Sequence, residues 1–122
     1  MSISYELINF FLSLPNEVER AYELSITKYV TEIESTSLRK DLNDILASDV
    51  YDNEVRYAAF YSLSILYRRN KDISLLENLI NTYEHQFKDR PTFSHIYVLY
   101  MKEKGVGRDV IKLISKAYDA YQ

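Results

Sequence analysis

An all-α fold is the expectation this chain raises, and three observations raise it. Apolar residues recur at steps of three and four along nearly the whole length, which is the helical period. Only two Gly and two Pro occur in 122 residues, so few positions can break long regular elements, and a β-sandwich of this size would use more turn residues. The stretch FYSLSILY, Phe60 to Tyr67, returns 33 residues later as FSHIYVLY, Phe93 to Tyr100. A hydrophobic share of 47% with 27% charged residues is ordinary for a globular protein, and the length suits a single domain, residues 1–122, with a sizeable core.

About seven helices are expected. A leading helix within residues 1–14, about Ser4 to Ser13, stops at Pro15-Asn16. The second runs to about Glu34, with Asn16 and Glu19 as its capping pair. Thr36-Ser37 opens a third, to about Ala47. Ser48-Asp49 and Asp52-Asn53 flank a turn before the fourth, Asn53 to Arg69. Its end carries Arg68-Arg69-Asn70-Lys71, and cations there complement the helix dipole. Asp72 and Ser74 start a fifth, with Ser74 and Glu77 as a second capping pair, and it ends near Lys88. Pro91 fits the first turn of the sixth, Gly105 with Gly107 supplies a left-handed stop, and Arg108 to Tyr121 form the seventh. Short loops make successive helices antiparallel neighbours.

The recurrent phrase extends outwards. Phe60, Leu63, Leu66 and Tyr67 align with Phe93, Ile96, Leu99 and Tyr100, while Asn16-Glu17-Val18 and Ser37-Leu38 reappear 37 residues on as Asn53-Glu54-Val55 and Ser74-Leu75. Three α-α hairpins follow, 16–50, 53–90 and 91–122, and a period in this range marks a helical solenoid whose hairpins bury their apolar faces against one another. A helix held between its own partner and the next hairpin must be apolar on two faces. Phe60, Leu63 and Tyr67 supply one, and Ala59 and Leu66 another. Large rings fill the gaps between helices, and the Tyr hydroxyls reach a polar group at the rim.

This pattern resembles the tetratricopeptide repeat, whose first helix carries a large aromatic, an aliphatic three on, a small residue next, then Tyr. Phe60, Leu63, Ser64 and Tyr67 stand in those places, as do Phe93, Ile96, Tyr97 and Tyr100, with Tyr97 departing from the small residue and Tyr83 departing likewise in a second helix. GVGRDVIKLISKAY looks like the family's second helix, with Gly105, Val110, Ile114 and Ala117 in order. The likeness covers about residues 53–121, and extends to 16–50 through Tyr22 and Tyr29. It implies a right-handed solenoid whose concave groove takes a peptide or partner protein. That groove would be lined by Glu23, Thr27, Tyr61, Ile65, Arg68, Arg69, Ser94, Val98, Met101 and Lys102. The family's carboxylate clamp for chaperone tails is absent, because Tyr61 and Ile65 stand where Lys and Asn are needed.

Chemistry is not indicated. The chain has no Cys, which removes disulfides, thiolate nucleophiles and Cys-ligated zinc, and fits a cytoplasmic location. His85 has Glu84 beside it and Asp89 four residues on, and His95 has no nearby acid until Glu103, so each reads as a surface or partly buried histidine; Asp41 with Asp44 shares a helical side and reads as a solvated face. No phosphate loop or nucleophile elbow occurs, so no catalytic residue, metal or cofactor is expected. A net charge of −3 disfavours nucleic acid, and no apolar run is long enough for a membrane span.

The expected role is therefore a non-catalytic interaction or scaffold module for a protein or peptide. The alternatives are a peptide-sensing regulator that switches a partner and, third, an enzyme with a carboxylate site assembled between hairpins. The last helix is apolar on more than one side at Val110, Ile111, Ile114, Tyr118 and Tyr121, beyond what the sixth helix can cover. A homodimer through this helix, or continuation of the array, is expected to cover it.

Overall fold

The computed structural model describes residues 3–14, 22–24, 26, 30, 32–90 and 92–119, with side chains for all of these except Ile3, Glu32, Ile33 and Glu34. Six helices have bounds here: α1 (Ile3–Ser13), α2 (Glu32–Ala47), α3 (Asn53–Arg69), α4 (Ile73–Phe87), α5 (Phe93–Glu103) and α6 (Arg108–Asp119). Tyr22, Glu23, Leu24 and Ile26 are also helical, and no strand occurs among the described residues. The protein is all-α. The capping pair expected at Asn16 and Glu19, and Pro91 at the start of the sixth helix, lie outside the described residues.

The chain divides into two compact units, residues 1–69 and 70–122. The boundary falls inside the expected 53–90 hairpin. In the first unit α1 packs on both α2 and α3, and α2 lies against α3. The turn between α2 and α3 is set by local polar groups. Asp52 Oδ1 accepts from the Val55 amide at 3.0 Å, capping α3, and Arg56 Nε donates to the Leu46 carbonyl at 2.9 Å, capping the end of α2.

Helix α3 is the centre of this unit. Every residue from Tyr57 to Tyr67 is buried, so the helix is enclosed on all sides rather than on one stripe. Around it pack Leu7 and Ile8 of α1, Tyr22 and Ile26, and Leu38, Leu42, Ile45 and Leu46 of α2, at helical spacing. Phe11, Tyr22 and Tyr61 form a ring cluster with centroids 5.2 Å apart for Phe11–Tyr22 and for Phe11–Tyr61, and 6.1 Å for Tyr22–Tyr61. The buried serines of α3 bond to their own helix. Ser62 Oγ donates to the Ala58 carbonyl at 2.8 Å and also meets the Tyr22 hydroxyl, while Ser64 Oγ donates to the Tyr61 carbonyl at 2.6 Å.

One break differs from the sequence expectation. The third helix does not open at Thr36-Ser37. It begins at Glu32 and runs through both residues, and Val30 lies outside any helix. Thr36 and Ser37 sit on the exposed side of α2, where a hydroxyl costs the helix little, so their resemblance to a cap is incidental. The Val30 carbonyl is met instead by Arg69, whose Nη1 donates to it at 2.7 Å.

In the second unit α4 packs on α5 and α5 on α6. Helix α4 buries Leu76, Leu79, Ile80 and Phe87, and α5 buries Phe93, Ile96 and Tyr100. Gly105 has φ of 81° and closes α5 in a Schellman arrangement, with Val106 N–H to Met101 O at 3.0 Å and Gly105 N–H to Lys102 O at 3.0 Å. Gly107 does not share this left-handed role; its carbonyl accepts from the Ile111 amide at 3.1 Å in the first turn of α6. Ser74 is not the cap expected from sequence. Asp72 occupies the N-cap position, its side chain making no capping bond, and Ser74 lies inside α4.

Candidate functional site

The second unit carries the most distinctive polar chemistry. Glu77 and Glu84 lie seven residues apart on α4 and face its neighbours. The Tyr100 hydroxyl of α5 donates to Glu77 Oε2, which Lys104 Nζ also reaches at 3.2 Å. The Tyr118 hydroxyl of α6 donates to Glu84 Oε2. Hydrogen bonds from Tyr100 and Lys104, and then the Lys104 charge, hold the Glu77 carboxyl below its usual range. Burial first, then the bond to Glu77, pushes the Tyr100 phenol up. These bonds tie α4 to α5 at Glu77 and α4 to α6 at Glu84.

Beside the Glu84–Tyr118 tie, an open cleft of about 260 Å³ is lined by Glu84, His85 and Lys88 of α4, Tyr97 of α5, and Ile114, Ala117 and Tyr118 of α6. Tyr97 stands with its ring 5.1 Å from that of Tyr118 and forms one wall. Desolvation, then the Glu84 charge, raises the Tyr97 phenol. His85 is exposed at the cleft, and His95 is exposed on α5.

The outer side of α6 continues from this cleft. Val110 is 49% exposed and Leu113 69%, and Ala117, which lines the cleft, is also exposed. Spacings of three and four place these three residues on one face. Ile111, Ile114 and Tyr118 occupy the adjoining face, with Tyr118 buried and its ring 5.3 Å from Phe93. The apolar arc of α6 is thus wider than the part its neighbours cover. Tyr121 lies outside the described residues.

The expected groove is rearranged by burial. Tyr61 and Ile65 are only 1% and 2% exposed, so they are core residues and not a binding wall: α3 has no open inner face at that level. Glu23 and Arg68 are brought together as an ion pair, and Arg69 holds the Val30 carbonyl. All three charged residues therefore already have structural work within the first unit. Thr27 lies outside the described residues. In the second unit Ser94, Val98 and Met101 are half-buried and Lys102 is exposed along α5.

A second cleft, of about 250 Å³, lies in the first unit between Ser4 and Tyr5 of α1, Asp41, Asp44 and Ile45 of α2, and Tyr51. The Tyr5 and Tyr51 hydroxyls meet across it at 3.3 Å. The two acids do share a side there, as their spacing predicts. Among the described residues no three His, Cys, Asp or Glu side chains converge as a metal site would need, and no helix is long and apolar enough to cross a membrane.

The tyrosine–carboxylate ties are not what the local sequence predicts for Glu77, which stands there as half of a capping pair with Ser74. Their signal was present in the seven-residue spacing of Glu77 and Glu84 beside Tyr97, Tyr100 and Tyr118. Compared with family models, with curated proteins and with solved structures, the chain matches none.

Proposed function

We propose that the protein is a non-catalytic interaction module that holds a helical segment of a protein or peptide along the outer face of α6 and into the adjoining cleft. The observation that carries this reading is the exposed apolar row Val110, Leu113 and Ala117 on a helix whose other apolar side is already packed. An apolar row of two helical turns costs solubility unless something covers it, and an amphipathic helix with anchors at three- and four-residue steps matches it in shape. The cleft offers such a segment a polar end at His85 and Lys88 beside the apolar floor of Ile114. The ionisable groups nearby are engaged as ties, which suits holding better than turnover.

The tetratricopeptide-like solenoid is part of the same proposal. It is supported by the burial of Phe60 and Phe93, the anchors of the recurrent phrase, and by the succession of helices joined by short connections. Selection from a displayed library of amphipathic helical peptides, with binders mapped by amide shift changes, tests the reading. Binders should perturb α6 and the 84–88 turn of α4, and should be lost in Leu113→Asp, which leaves the core untouched. Binders that map elsewhere and ignore this substitution would show that α6 is not the site.

A further inference from the structure

We propose that the occupant of the outer face of α6 is a second copy of this chain, packed antiparallel about a two-fold axis near Leu113. This rests on reading α6 as the interaction surface and adds which partner covers it. The apolar row alone would accept many helices, and the charges beside it select among them. Asp109 immediately precedes Val110 and Lys116 immediately precedes Ala117, so both lie on one flank of the row, seven residues apart and opposite in sign. Both are exposed.

Orientation then decides what that flank meets. In a parallel pair the flank faces the opposite flank of the other helix, which carries Ile114 and Gly107 and no charge. In an antiparallel pair the flank faces itself reversed. Asp109 then stands opposite Lys116 of the second copy, and the two-fold axis repeats the pair, so both ends are complementary at once. Along the seam Val110 meets Ala117 of the second copy, a large residue against a small one, and the two Leu113 side chains pack beside the axis. Two turns of helix form a contact well below the size of a permanent dimer interface, so association is expected in the range of tens to hundreds of micromolar.

Sedimentation velocity of the purified full chain from about 10 μM to about 1 mM tests this. Reversible dimerisation is expected, abolished by Leu113→Asp with the helical circular dichroism unchanged. Asp109→Lys and Lys116→Asp should each weaken the dimer about tenfold, because each turns two attractive pairs into two repulsive ones. The double variant carrying both should recover it to within about threefold. A monomer at every concentration overturns the second copy as occupant, and retained peptide binding on α6 in that case would leave the interaction reading standing. A dimer that ignores Leu113→Asp, or whose strength ignores the charge reversals, also overturns the proposal.

Discussion

Helices α3 and α5 carry the same eight-residue phrase and end in different surroundings. In FYSLSILY all eight residues are buried, whereas in FSHIYVLY only Phe93, Ile96 and Tyr100 are. The three positions buried in both are the first, the fourth and the eighth: Phe60 and Phe93, Leu63 and Ile96, Tyr67 and Tyr100. At steps of three and four these form one stripe, and a stripe needs one neighbour. What lies between them depends on how many neighbours arrive. Around α3 stand α1, α2 and the helical residues near Tyr22, and its intervening residues include Ser62 and Ser64, small enough for close approach and bonded to their own helix. Around α5 stand α4 and α6, and its intervening residues include the larger His95 and Tyr97. The terminal tyrosines keep a common role at the rim. Tyr67 meets Asn43 Nδ2 at 3.1 Å, and Tyr100 donates to Glu77. A repeated phrase thus specifies a face, while the residues between its anchors admit or refuse further neighbours.

The largest effect expected is at the shared anchors. Phe60→Ala and Phe93→Ala should each lower stability by about 3–5 kcal/mol, read from urea denaturation, since both rings are fully buried. A small loss at either would break the equivalence of the two anchors. Next come positions that the phrase aligns but the structure separates. Ile65→Ala should cost about 2–4 kcal/mol, and its counterpart Val98→Ala about 1 kcal/mol, because Ile65 is enclosed and Val98 only half-buried. Equal losses would mean that α3 and α5 are not differently enclosed.

Dependence on pH sharpens the contrast between the two units. Burial raises the Tyr22 phenol in the first unit and the Tyr100 phenol in the second above the ordinary value of 10.0. The folded state holds these protons more tightly than the unfolded chain does. Their contribution is therefore complete below pH 10.0 and is lost as pH rises past that value. Glu77 is shifted the other way, so its contribution is present above 4.5 and is lost as pH falls below it. Urea midpoints should fall at both extremes, and Tyr22→Phe should remove part of the alkaline loss while leaving the acid side unchanged. The smallest effect belongs to the end of α5. Gly105→Ala meets open space but must hold φ of 81°, which should cost about 1 kcal/mol in the same denaturation assay.

Much of the helical outline was legible without coordinates. The bounds of α3 follow from the Asp52 cap and the charged end at Arg68-Arg69, and the end of α5 from Gly105, because caps and left-handed stops act within one turn of chain. The break near Val30 was misplaced because a hydroxyl pair on an exposed helix face looks like a cap when only its neighbours in sequence are considered. The binding surface was only partly legible. Tyr61 and Ile65 share the pattern of an exposed helix face, and it is packing from α1, α2 and Tyr22 that turns them into core. The row on α6 was visible as excess apolar width, but which half of that width is covered emerges only once Phe93 is seen against Tyr118.

By itself the order of residues determined helical period, the positions of most stops, and the first, fourth and eighth places as inward-facing, because propensity, capping and amphipathic spacing act over a few residues. Tertiary structure alone decided that α3 is enclosed on all sides, which tyrosine meets Glu77 and which meets Glu84, and that Val110 and Leu113 stand outside. Burial depends on how many elements arrive at a face, and that number is a property of the whole packed chain.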